Sequence, residues 1–141
     1  MDDSYHLQRF VAAQDAGGTY DRALDELRRG SKSSHWMWFV FPQIAGLGRS
    51  PTAQQYAISS VDEARAYLAH PVLGPRLVQC TVVLGEIRGR TAEQVLGSVD
   101  AQKLQSSMTL FLRAAPDEAV FQAVLDKYFD GTADVATDQR L

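Results

Sequence analysis

The chain has one cysteine in 141 residues, which excludes a disulfide framework and a multi-cysteine zinc site. Its three histidines, His6, His35 and His70, are scattered and form no His-x-x-x-His pair, so neither a metal centre nor another cofactor is expected. Long apolar runs are missing too. The longest is the six residues from Trp36 to Phe41, against the roughly 20 that cross a bilayer. No stretch alternates strictly enough for a confident strand. There is no excess of base: the net charge is −3 and the pI is near 5.5, the wrong footprint for nucleic acid. The start, Met-Asp-Asp-Ser-Tyr-His, is acidic and polar rather than a secretory signal, so the expected location is the cytoplasm. Repeats, linkers and low-complexity tracts are absent.

What is present has globular composition, 45% hydrophobic and 22% charged, which argues against disorder. The length suits a single domain over 1–141 that needs no staple. Apolar residues recur at three- and four-residue steps almost throughout, the signature of helix. Faces of this kind are Leu7/Phe10/Val11/Gln14, Tyr20/Ala23/Leu24/Leu27, Leu73/Leu77/Cys80/Leu84/Ile87, Leu104/Met108/Phe111 and Phe121/Val124/Leu125/Tyr128. Gly17-Gly18, Gly30, Pro71, Gly89, Gly97 and Gly131 punctuate them. Ser60-Val-Asp-Glu63 and Thr91-Ala-Glu-Gln94 read as capping boxes. Pro116 is expected to open the helix through Phe121, and a last short helix is expected after Thr132. The expected fold class is mainly α, an irregular single-domain helical bundle.

Charge is unevenly spread. Residues 1–26 carry six acids against Arg9 and Arg22; residues 27–85 carry two acids against six bases; residues 86–141 carry nine acids against six bases. No acidic side chain falls between Leu27 and Val61. Such a block either creates a local positive field suited to phosphate or carboxylate, or finds its acids in the flanking blocks on folding.

Residues 31–51 do not read as scaffold. Both tryptophans and four of the thirteen aromatics fall between 36 and 41. A helix over 34–41 would be apolar on nearly every side and cross the middle of the domain. Gly46, Gly48 and Pro51 then predict a turn-rich loop carrying Arg49 and Ser50, where backbone amides and an arginine fork suit an oxyanion. The loop matches neither a dinucleotide fingerprint nor a Walker loop.

Five stretches are distinctive in combination: His35-Trp-Met-Trp-Phe-Val-Phe-Pro-Gln43, Gly46-Leu-Gly-Arg-Ser50, Tyr56-Ala-Ile58, His70-Pro-Val-Leu-Gly74 with Arg76-Leu77, and Lys103-Leu-Gln-Ser-Ser-Met-Thr-Leu-Phe111. Together, over about Tyr5 to Asp138, they resemble the bacterial family called domain of unknown function 1810. The resemblance implies a small helical domain standing alone and no established activity. Some members are labelled calpastatin, but that inhibitor is a disordered repeat protein and this chain reads as a folded domain.

His35 and His70 are the candidate acid–base residues, as imidazoles near their working pH. His35 could equally anchor a helix start, and His70, as imidazolium, could cap the helix that ends before Pro71. Trp36 and Trp38 offer flat surface for a planar ring, or core. Gln43 could read a ligand edge, or satisfy loose backbone. Arg49, Arg76 and Lys103 are candidate anion contacts. A helix places the Lys103 amine near the hydroxyls of both Ser106 and Ser107, which makes Ser106 a further ligand contact. Cys80 falls on an apolar stripe as a core thiol. The expected function is a pocket that binds or processes a small anionic, nucleotide-like ligand around His35–Gln43 and Gly46–Ser50. Whether it is an enzyme stays open; metal-free hydrolysis or glycosidic cleavage is the chemistry such a pocket would suit. The alternative is a non-catalytic protein-interaction module that uses the aromatic run as its patch, or an aromatic run that is simply core.

Overall fold

The computed structural model describes residues 3–141. Among the described residues ten α-helices follow one another: α1 (Gln8–Asp15), α2 (Thr19–Arg28), α3 (Met37–Val40), α4 (Pro51–Gln55), α5 (Val61–Ala69), α6 (Leu73–Glu86), α7 (Ala92–Leu96), α8 (Ser98–Ala114), α9 (Ala119–Phe129) and α10 (Val135–Asp138). A 3-10 turn over Ala16–Gly18 joins α1 to α2. Among the described residues there is no strand, only one parallel bridge between Ile44 and Ile58. None of the described helices is long and apolar enough to cross a membrane.

The longest helix, α8, runs through the middle. It packs against α5, α7, α9 and α10, while α6 packs against α2, α5 and α9. From Leu104 to Leu112 every α8 residue except Gln105 is buried. Around it one apolar cluster joins Phe10, Leu27, Trp36, Phe41, Tyr67, Leu77, Leu84, Phe111 and Phe121. Tyr67 links Phe10 and Phe111 through ring contacts at 5.1 and 5.3 Å.

Local chemistry sets the helix starts. The Thr91–Gln94 capping box is complete, with Thr91 accepting from the Gln94 amide and Gln94 accepting from the Thr91 amide. At α5 half the box forms: Ser60 accepts from the Glu63 amide, and the Glu63 carboxylate turns to Ser59 and Arg9. Ser50 caps α4, with Pro51 at its first position. The glycines here predict loop, but the Ser-Pro start signal sets a helix directly after them. Of the helix expected over 34–41, only Met37–Val40 is helical. Trp36 stands at φ −141°, outside the helical region, because its indole turns away to a buried partner. The helix expected to open at Pro116 starts at Ala119, after a turn closed by the Glu118 amide on the Ala115 carbonyl.

The corner between α5 and α6 depends on Gly74. A Cβ on this residue would overlap the carbonyl oxygen of Leu68. Gly74→Ala is expected to push the two helices apart and destabilise the fold by about 1–3 kcal/mol, the usual range for overpacking. Thermal unfolding of the variant measures this, and an unchanged midpoint would contradict the contact.

Candidate functional site

Glu26 lies on the apolar face of α2 beside Leu27 and is 1% exposed. A carboxylate so far from water needs its oxygens bonded. The chain leaving α2 folds back to supply the donors. The Ser33 and Ser34 amides and the Trp36 indole Nε1–H donate to one oxygen at 2.8, 3.0 and 2.9 Å, and the Ser34 hydroxyl donates to the other. Burial pushes this carboxyl up, but the four bonds outweigh it and hold the pKa at about 2, against an ordinary 4.5.

Trp36 is therefore pinned in the core with no face open to a ligand. Trp38, two residues on, keeps a partly exposed ring. The Lys103 ammonium stands 5.0 Å from the centre of that ring, within cation–π range. Asp100, one turn before Lys103 on α8, sits 2.9 Å from the Lys32 ammonium and 3.6 Å from that of Lys103. Lys32 in turn lies 5.1 Å from the Trp36 ring centre. Two ammonium groups thus share one partly exposed carboxylate in front of two indoles.

The other expected residues lie elsewhere or are committed. Arg76 ion-pairs with Asp15 at 2.8 Å, stacks 4.7 Å over Tyr20 and donates to the Gln14 side chain at 3.1 Å. Buried Gln14 donates to the Phe39 carbonyl at 2.8 Å, so Arg76 braces α3 from behind. Ser106 is buried and donates to Asp134 at 2.8 Å, with Thr137 bonded to the same carboxylate oxygen. It fastens α10 to α8, so the hydroxyl that the sequence offers to a ligand beside Lys103 is already used. Gln43 is half-buried, and its carbonyl accepts from the Ile58 amide at 2.8 Å. His35 is exposed beside Trp36. Arg49 is exposed on the glycine loop, with its carbonyl bonded to Gln54. Gly46, at φ 97°, is held against the guanidinium of Arg140, which would collide with any Cβ there. Arg140, which no motif in the sequence marks, therefore rests on this loop.

His70 is the C-cap residue of α5, its amide donating to the Tyr67 carbonyl, and its side chain serves the next helix: Nδ1 accepts the Val72 and Leu73 amides at 3.1 and 3.3 Å, at the start of α6. His70 also borders a groove of about 430 Å³ with Asp3, Tyr5, Leu7 and Ala66. No lysine or arginine lines that groove, and the other expected site residues are away from it. Burial pushes the Cys80 thiol up to about 11, as suits a core position. Among the described residues no group of three or more His, Cys, Asp or Glu could hold a metal ion.

The family described as "Protein of unknown function (DUF1810)" matches residues 4–141. The chain belongs to this family. It is also similar to a solved structure, "conserved hypothetical protein Rv1873 from Mycobacterium tuberculosis", with 50% identity and a TM-score of 0.95. That match covers 99% of this chain and 98% of the other. No curated protein matches. The mainly helical architecture implied by the DUF1810 resemblance is the one observed, and the family description assigns no activity.

Three residues that shape this cluster are not singled out by any motif in the sequence. Glu26 carried a signal, an acid on the apolar face of a helix. Asp100 carried one too, three residues before a lysine on the same helix. Lys32 carried only its place in the acid-free stretch, and its partner lies 68 positions away.

Glu26→Gln keeps the shape but removes the charge and places an amide among donors. The expected cost is about 1.5–3 kcal/mol, the range for hydrogen bonds to a charged group. The sign with pH follows from the lowered pKa. The contribution of Glu26 is fully present above about 4.5 and fades as pH falls towards about 2. Unfolding of both proteins from pH 7 to pH 2 should show the gap between them narrowing at the acid end; a constant gap would contradict the assignment.

Proposed function

We propose that this chain binds a small anionic, nucleotide-like ligand at the face formed by Trp38, Lys103, Lys32 and Asp100. One observation carries the reading: two ammonium groups share a single carboxylate in front of a partly exposed indole. The cluster has one positive charge more than its carboxylate neutralises, which favours an anion. Trp38 supplies a flat surface for the ring of a base or nicotinamide. Gln43 and the Gly46–Ser50 loop follow in the chain, with Arg49 exposed and Arg140 seated on Gly46, and these guanidinium groups suit a second anionic group. His35 remains the acid–base candidate by exposure alone, and no reaction is assigned to it. Trp36, Arg76, Ser106 and His70 have structural partners and are not part of the reading.

The interaction-module alternative draws little support from the aromatic run, because Trp36, Met37, Val40 and Phe41 are buried. The exposed large hydrophobic residues, Val82, Val99, Val135 and Leu141, are spread over four segments.

Thermal unfolding against NAD, ADP-ribose, mononucleotides and sugar phosphates, with sulfate as control, tests the proposal. A ligand at about 100 times its dissociation constant adds roughly 2.7 kcal/mol, which for a domain of this size raises the midpoint by about 4 °C or more. The expected result is a shift for one nucleotide class, absent with sulfate and lost in the Arg49→Ala/Lys103→Ala double variant. No shift across the panel, or full binding by the double variant, would overturn the reading.

A further inference from the structure

Apart from Ser107, the buried serine and threonine hydroxyls in the described helices are paired. Thr81 donates to the Leu77 carbonyl, Thr109 to the Gln105 carbonyl, and Ser106 to the Gln102 carbonyl and Asp134. Each uses the carbonyl four residues back, the usual recourse of a serine or threonine within a helix. Ser107 breaks the pattern. It is 0% exposed, and its Oγ is the only buried side-chain oxygen or nitrogen among the described residues without a hydrogen-bond partner. The carbonyl it leaves unused is that of Lys103. A dry, unpaired hydroxyl is destabilising, so its persistence needs a reason.

Its place supplies one. Ser107 follows Lys103 by one turn of α8, about 6 Å along the axis and about 40° around it. The Lys103 ammonium lies 5.0 Å from the centre of the Trp38 ring, and Ser107 is the next residue along the side of α8 that carries this lysine. The lysine is also the looser member of the cluster: Asp100 is 2.9 Å from Lys32 but 3.6 Å from Lys103. A swing of the Lys103 side chain off Trp38 would uncover this side of α8 without giving up the Lys32–Asp100 pair.

We infer that Ser107 is the buried recognition group of the Trp38–Lys103 site, donating its hydroxyl to the phosphoryl oxygen that Lys103 neutralises. The inference rests on the ligand-binding reading above and narrows it to phosphorylated ligands. Their oxygens accept from an ammonium and a hydroxyl at once. Ser107 is a specificity-determining contact, and no bond to it is made or broken.

Calorimetric titration with ADP-ribose and with inorganic pyrophosphate tests this on the parent, Ser107→Ala and Lys103→Ala proteins, with the unfolding midpoint of each recorded. The expected result is a Ser107→Ala protein as stable as the parent or more so, because an unpaired hydroxyl is gone. Its affinity for whichever probe the parent binds should be about tenfold weaker or worse, the equivalent of one charge-assisted hydrogen bond. If alanine disturbs folding, Ser107→Cys keeps the size with a weaker donor and serves the same comparison. Parent-like affinity in the Ser107 variants, with loss in Lys103→Ala, would overturn the role of Ser107 and leave the ligand reading standing. Ser107 would then be a small residue required by the packing around α8. A parent that binds neither probe would overturn the role of Ser107, and the ligand reading falls with it when the unfolding panel also shows no shift.

Discussion

The Glu26 carboxylate sets the course of the chain between α2 and α3. Once it is buried on the apolar face of α2, its charge must be met by donors, and the following ten residues supply four of them. Ser33 and Ser34 have to turn their amides inward, and Trp36 has to leave the helical region to bring Nε1 within reach. That turn shortens α3 to one helical turn and sends successive tryptophans to different environments, Trp36 inward and Trp38 to the surface beside Lys103. Replacing one partner of such a cluster would leave the rest unmatched, so its effect exceeds that of any single bond.

The same device recurs at two other joints. Glu63 accepts from Ser59 and from Arg9, whose guanidinium also collects the carbonyls of Tyr5, Gln55 and Ala57. Asp134 holds Ser106 and Thr137, while its own amide donates to Thr109. Each buried acid ties an irregular segment to a helix. This arrangement lets a largely helical chain with a short α3, a short α4 and a long 41–50 connection keep its loops in place without a sheet. It also explains the fate of the basic block: Lys32 pairs with an acid of the C-terminal block and Arg76 with one of the N-terminal block. Lys103 is left with a shared partner.

The helices were legible in the sequence where periodicity and capping agree, as in α5 through α9. Ser60, Thr91, Pro71 and Gly131 mark ends that local backbone chemistry enforces. Legibility failed where a distant partner decides. Nothing within 34–41 announces that Trp36 will bond to Glu26, so a continuous helix was the natural expectation. Of the site, Trp38 and Lys103 were selected separately, one for its flat ring and the other for its charge, and the fold brings them to 5.0 Å. Arg76, expected for its charge, and Ser106, expected for its place one turn from Lys103, instead meet acids separated from them by 61 and 28 positions and act as braces. Residue type shows what a side chain can do. The spatial arrangement decides whether its capacity is already used.

The placement of the two tryptophans has an optical consequence. One indole is dry, with a carboxylate fixed at its ring nitrogen; the other is partly wetted, with an ammonium over its face. Indole emission responds to water and to nearby charge, so the two chromophores differ in colour and in access to quenchers such as iodide. The protein thereby carries two built-in reporters on one short segment. Trp38 responds to events at the Lys103 surface, and Trp36 changes when the anchor beneath it lets go. A single emission spectrum can therefore distinguish rearrangement at the surface from loss of the fold.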